Sequence, residues 1–186
     1  ETIPATNPYL FADQDKIQTW AERVSTNRFK VGICWQGSKT KMDIGRSFPL
    51  SLFEGISRIP NLELISLHKG EGEAQIDGID FDLTTLGHDF DVGQDSFLDT
   101  VGVMMNCDLI ITSDTAVAHL AGAIGQPTWV VLKQIPDWRW MLERPDSPWY
   151  PTMTLYRQKT QGEWVDVFET IERDLRTMLK PKKDVK

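Results

Sequence analysis

The sequence predicts an α/β domain built on a doubly wound, Rossmann-like parallel sheet. Short apolar runs rich in β-branched and aromatic residues, at 29–35, 62–67, 107–112 and 128–132, alternate with segments of helical period. Several runs are apolar at almost every position, as strands are when helices cover both faces of a sheet. The chain of 186 residues is long enough for one domain with a substantial core.

The elements are expected in this order. Pro4 and Pro8 and the lack of any period make residues 1–12 an extended linker. Asp13 is a candidate N-cap for a helix over 14–25, with Ile17, Trp20, Ala21 and Val24 on one face. The first strand, 29–35, ends at Gln36-Gly37-Ser38 and leads into a polar loop over 39–46. A helix through Arg58 follows, striped by Leu52, Phe53 and Ile56, then the strand 62–67 and a glycine-bearing loop over 68–78. A short third strand is expected at 81–86 and a helix from Asp95 or Ser96 to Asn106. The strand 107–112 runs into an alanine-rich helix over 114–124, which Gly125 ends. After the strand 128–132 comes a long loop, 133–151, then a last strand at 152–157 and an amphipathic helix over 163–179. The domain is therefore placed at 13–180, with a frayed tail at 181–186.

Net charge is −7, which gives no broad electrostatic reason to bind nucleic acid or anionic lipid. No apolar run approaches the roughly 20 residues of a transmembrane helix, and no signal peptide is visible. Cys34 and Cys107 both lie in apolar runs and read as buried thiols, which fits a reducing, cytoplasmic compartment. The chain opens on Glu1 and reads as a fragment or a processed chain.

Ligands of such sheets sit at the carboxyl ends of the strands. At the end of the 107–112 strand, Ser113, Asp114 and Thr115 are all good caps, and the helix behind them starts with small Ala116 and Ala118. Unpaired N–H groups and the helix dipole favour an anion there, such as a diphosphate. The competing reading is an ordinary capped helix, and Asp114 repels phosphate unless it caps or meets a hydroxyl. His119, one turn on, reads equally as a ligand contact or a core histidine. Beyond the first strand, Ser38, Lys39, Lys41 and Arg46 can neutralise a leaving diphosphate, although a solvated loop explains at least one lysine. Lys69, Glu71 and Glu73 follow the second strand, where nucleotide-binding folds place a ribose-binding carboxylate. The glycines there do not make a dinucleotide fingerprint, so hydride chemistry has little support. Four of the seven tryptophans fall between 129 and 149, where they can stack on a ligand or form a local core. No metal-ligand spacing and no serine–histidine–acid order stands out.

Taken together, 31–38, 46–50, 66–70, 108–127, 136–140 and 147–151 resemble the C-terminal domain of the heptosyltransferase-like glycosyltransferases, family 9. The likeness is to the branch found behind tetratricopeptide repeats. The resemblance implies one half of a GT-B architecture, two Rossmann-like domains facing across a cleft, with the nucleotide-sugar donor held in this half. It puts Asp114, Thr115 and Ala116 at the diphosphate, His119 near the diphosphate or donor sugar, Arg46 at the phosphates, and Glu71 or Glu73 at the ribose. Ser38, Lys69 and Ser113 complete the expected substrate-binding set. Ala116 stands where many heptosyltransferases have glycine. The resemblance implies no cofactor and no metal. It assigns the general base and the acceptor site to an N-terminal domain that this chain lacks. A non-catalytic binding module that kept the fold is the alternative reading.

Overall fold

The computed structural model describes residues 6–38, 45–93 and 97–180. The helix start expected at Asp95 or Ser96, the loop lysines Lys39 and Lys41, and the 181–186 tail lie outside the described residues.

Five strands form one all-parallel sheet: β1 (Phe29–Cys34), β2 (Leu62–Ser66), β3 (Leu109–Ser113), β4 (Thr128–Leu132) and β5 (Met153–Arg157). Their spatial order is β2-β1-β3-β4-β5. The third strand expected at 81–86 is reduced to a single parallel bridge between Thr84 and Ile65. Asp80 and Asp82 alternate with Phe81 and Leu83, so this segment has one apolar face, which packs on the core as an edge. Counting Thr84 as that edge, the chain winds outward from β1, then returns to the other side of β1 through β3. The crevice between the carboxyl ends of β1 and β3 is the topological switch point.

Alternation within the strands sorts side chains into two layers. Val31, Ile33 and Trp35 of the first strand and its end join Leu109 and Ile111 on one face. There they meet α2 (Glu54–Ser57) and α5 (Val165–Met178), through Phe53, Ile56, Phe168, Ile171 and Leu175. Cys34 and Ile110 face the other side, under α1 (Gln14–Arg23), α3 (Leu98–Met104) and α4 (Ala116–Ala123). The helix expected from 47 to 58 is a 3-10 turn, Leu50–Phe53, followed by the single turn of α2. Pro49 fixes its start, and the turn holds Leu50 and Phe53 fully buried. Asp13 caps α1 as its sequence indicates, accepting from the N–H groups of Asp15 and Lys16. The helix α4 ends at Gly125, whose φ of +77° is accessible to glycine at low cost.

Residues 7–10 are tied to the end of α4. The N–H groups of Tyr9 and Leu10 donate to the Ala123 carbonyl, and Asn7 donates to that of Gly122. Helices α1 and α3 are tied through Asp99, only 9% exposed, which accepts from Lys16 Nζ at 2.8 Å and from the Trp20 indole at 2.9 Å. Among the described residues, no helix is long and apolar enough to cross a membrane.

Candidate functional site

A cavity of about 500 Å³ lies at the switch point. Its wall includes Cys34 at the end of β1, Gln36, Ser38 and Arg46 beyond it, Lys69 beyond β2, and Thr115 and Ala116 beyond β3. A neighbouring cavity of about 470 Å³ shares His68 and Lys69 and reaches Glu73, Leu86 and His88. The two cavities lie side by side, with His68 and Lys69 in the wall of both.

The loop after β1 folds back on the strand end. Phe48 N–H donates to the Trp35 carbonyl at 3.1 Å, and Gly37 N–H to Ser47 Oγ at 3.3 Å. This return places the Arg46 guanidinium directly over Gly37, where a Cβ would lie 2.8 Å from Nη2. Glycine at 37 is thus what lets the cation reach the cavity.

The loop after β2 is held just as firmly. Trp35 stacks on His68 with centroids 4.2 Å apart, and its indole donates to the Gly72 carbonyl at 3.3 Å. His68 Nε2 donates to the Glu71 carbonyl at 2.6 Å, so the neutral ring presents Nδ1 as an acceptor, 3.6 Å from Cys34 Sγ. Burial pushes the Cys34 thiol up to about 11, so it stays protonated and un-nucleophilic at neutral pH. Glu73 closes the turn by accepting from Gly70 N–H at 2.7 Å. Lys69 donates its ammonium to the Phe90 carbonyl, which pins the β2 loop to the segment at 88–90.

At the third strand end, Thr115 is extended, with φ −135° and ψ 175°, and precedes the first turn of α4. Helix geometry leaves the N–H groups of that turn without intrahelical acceptors. The Ala118 N–H is taken by the Thr115 carbonyl at 3.0 Å, and Ala116 and Val117, the first two residues of the helix, line the cavity. Ala116 is a helical residue without positive φ, so alanine meets no backbone strain where glycine is common.

Of the residues singled out from the sequence, Ser38, Arg46, Lys69, Thr115 and Ala116 come together around the switch-point cavity. Glu73 lines the neighbouring cavity. Ser113, fully buried at the end of β3, together with Glu71, Asp114 and His119, stands outside both walls. His119 instead stacks on Trp140 at 5.1 Å, and its Nδ1 lies 3.2 Å from the Tyr150 hydroxyl. Trp140 and Tyr150 form a small core with Ala118, Val130 and Leu132, so most of the aromatic loop packs on itself. Trp138 is the exception, at 69% exposed. Gln36, Thr100 and Phe97 belong to the wall but carried no mark in the sequence beyond nearness to a strand end or helix start.

Burial lowers the proton affinity of both His68 and His119, and in each case the nearby oxygens or carboxylates only partly offset it. A group whose affinity falls on folding contributes stability fully above its unfolded pKa of about 6.5 and loses it as pH drops through that value. The melting temperature is therefore expected to be level above pH 7 and to fall as pH drops below about 6.5. Asp89, Asp99 and Asp146 have lowered values, so their contributions fade only in stronger acid. Thermal melts across that range test this. His119→Phe, which keeps the stack, should flatten part of the slope, and an unchanged slope would remove His119 from the explanation.

No protein-family model matches the chain. Among curated proteins it is similar to Protein FlbA of Caulobacter vibrioides, 28% identical over 185 residues, covering 95% of this chain and 30% of that protein. Among solved structures it resembles the ADP-heptose lps heptosyltransferase II of E. coli, with a TM-score of 0.65 at 13% identity over 94% of this chain and 55% of that one. It also resembles a glycosyl transferase family 9 protein of Veillonella parvula, with a TM-score of 0.59 at 12% identity over 94% of this chain and 47% of that one. The chain thus spans about half the length of these transferases and less than a third of the curated relative. The fold is a Rossmann-like, all-parallel α/β sheet that resembles one half of these GT-B transferases.

Proposed function

We propose that the chain is the donor-binding domain, residues 13–180, of a glycosyltransferase that uses a nucleoside diphosphate sugar. The observation that carries this reading is the convergence of Ser38, Arg46, Thr115 and Ala116 on one cavity at the switch point, beside the first turn of α4. A guanidinium and helix N–H groups together suit a diphosphate. The neighbouring cavity gives room for the nucleoside, with Glu73 at its wall. Acceptor and general base belong, on this reading, to a preceding domain, and the length of the similar transferases supports that division. Placement in the branch associated with tetratricopeptide repeats rests on the motif order at 31–38, 108–127 and 136–140. A reducing compartment such as the cytoplasm suits the two buried free thiols.

Calorimetric titration with UDP, ADP and GDP, and with their sugars, tests the proposal. Saturable binding of one nucleotide is expected, weakened about tenfold or more by Arg46→Ala. Binding of none would overturn it and favour the non-catalytic module. The turning of His119 toward Trp140 and Tyr150, away from the cavity, is the observation on that side. Transfer activity in this chain alone would contradict the placement of the general base elsewhere.

A further inference from the structure

Gln36 is only 9% exposed, stands in the wall of the switch-point cavity, and has a buried side-chain nitrogen with no hydrogen-bond partner among the described residues. A buried amide N–H₂ without an acceptor is costly. The way the amide faces is fixed by its neighbours. Leu50 N–H can only donate, and its acceptor is Gln75 Oε1 at 2.9 Å. That turns Gln75 Nε2 toward Gln36, where it donates to Oε1 at 3.1 Å. Gln36 must therefore present its oxygen to Gln75 and keep Nε2 as the unused end. The bare Gly72 completes the arrangement, since a Cβ there would come within 2.9 Å of Gln36 Oε1 and of His68 Nε2. Gly72 also has φ +107°, which suits glycine. The relay begins at a backbone donor and ends on a buried, unspent donor of a residue that lines the cavity, and a small movement of that side chain would bring the donor to an acceptor from outside the chain.

We propose that Gln36 Nε2 donates to a phosphate oxygen of a nucleoside diphosphate bound in this cavity, and that Gln75 and Gly72 hold the amide in that sense. The assignment rests on the donor-binding reading above. Arg46, in the same wall, brings the positive charge; Gln36 brings a directed, neutral donor that a phosphate oxygen can satisfy and a carbon-bound hydrogen cannot. Gln75 is a positioning residue, acting through Gln36 and not through the ligand.

The test titrates the full chain and its variants with UDP, ADP and GDP and records the melting temperature of each unliganded protein. Gln36→Met keeps length and volume but removes the donor, and should weaken the nucleotide that binds wild type by about tenfold. Gln36→Glu keeps an oxygen for Gln75 and aims a second one at the phosphates, and should weaken it further, by about a hundredfold. Gln75→Leu frees the amide to rotate and should give a smaller loss than Gln36→Met. If Gln36 only supported the fold, Gln36→Met would shift the melting temperature and leave affinity unchanged; that result overturns the assignment while the donor-binding reading stands. Failure of the wild-type chain to bind any of the three nucleotides overturns both.

Discussion

Replacing Trp140 with alanine should destabilise the protein by about 3–5 kcal/mol, whereas phenylalanine at the same position should cost about 1 kcal/mol or less. Trp140 is fully buried and sits at the centre of the small core that joins α4, β4 and β5, against Ala118, Val130, Leu132 and Met153. Alanine would leave a cavity that the surrounding backbone cannot close. Arg157 fixes that backbone, its Nη2 donating to the carbonyls of Trp140 at 3.0 Å and Met141 at 2.9 Å. Phenylalanine loses part of the packing but also removes the indole N–H, which is buried without an acceptor among the described residues. Relief of that unpaired donor, worth about 1–3 kcal/mol, offsets much of the lost ring area. Urea denaturation of the three proteins measures both differences. A phenylalanine variant as damaged as the alanine one would mean that the indole N–H is satisfied and that shape, not polarity, governs the site.

The same position illustrates what local sequence pattern can and cannot reveal. The strands β1, β3 and β4 are dense in Val, Ile and other apolar residues because both faces are covered, and that density is visible without a structure. So are the cap at Asp13 and the stop at Gly125, which depend on a few neighbouring residues. The direction of His119 is different. Helix α4 is made of small residues and is buried on more than one side, so its period marks no single inward face. What turns the imidazole is Trp140, some twenty residues on, and nothing near His119 encodes that contact. Lys69 stands in a glycine-bearing loop, and nothing in that loop encodes the bond from its ammonium to the Phe90 carbonyl. Gln36 reads as an ordinary loop residue, because its significance depends on Leu50, Gln75 and Gly72 meeting around it. Conversely, the expected strand at 81–86 had the right alternation but only one bridge to make, since it lies at the sheet edge beyond β2.

Ala116→Glu should separate the fold from the site by moving stability and binding in opposite directions. Ala116 is the first residue of α4, exposed, and part of the cavity wall. A carboxylate in the first turn of a helix interacts favourably with the dipole, by about 0.3–1 kcal/mol, so the unliganded variant should melt at or slightly above the wild-type temperature. The same charge would stand about 5 Å from a phosphate bound at that turn, and at an effective dielectric of about 20 each such pair costs about 3 kcal/mol. Affinity for the nucleoside diphosphate should therefore fall by about a hundredfold or more. Ala116→Gln provides the control, since it has nearly the same volume and no charge. Glutamine should retain most of the binding if electrostatics decides the outcome, and should lose as much as glutamate if the cavity is simply filled. Should both variants bind the nucleotide as wild type does, the first turn of α4 does not face the diphosphate, and the small residues there serve only the close approach of helix and sheet. Should glutamate alone abolish binding while the melting temperature holds or rises, the first turn of α4 is kept free of acidic side chains for its ligand, at some expense to its own stability.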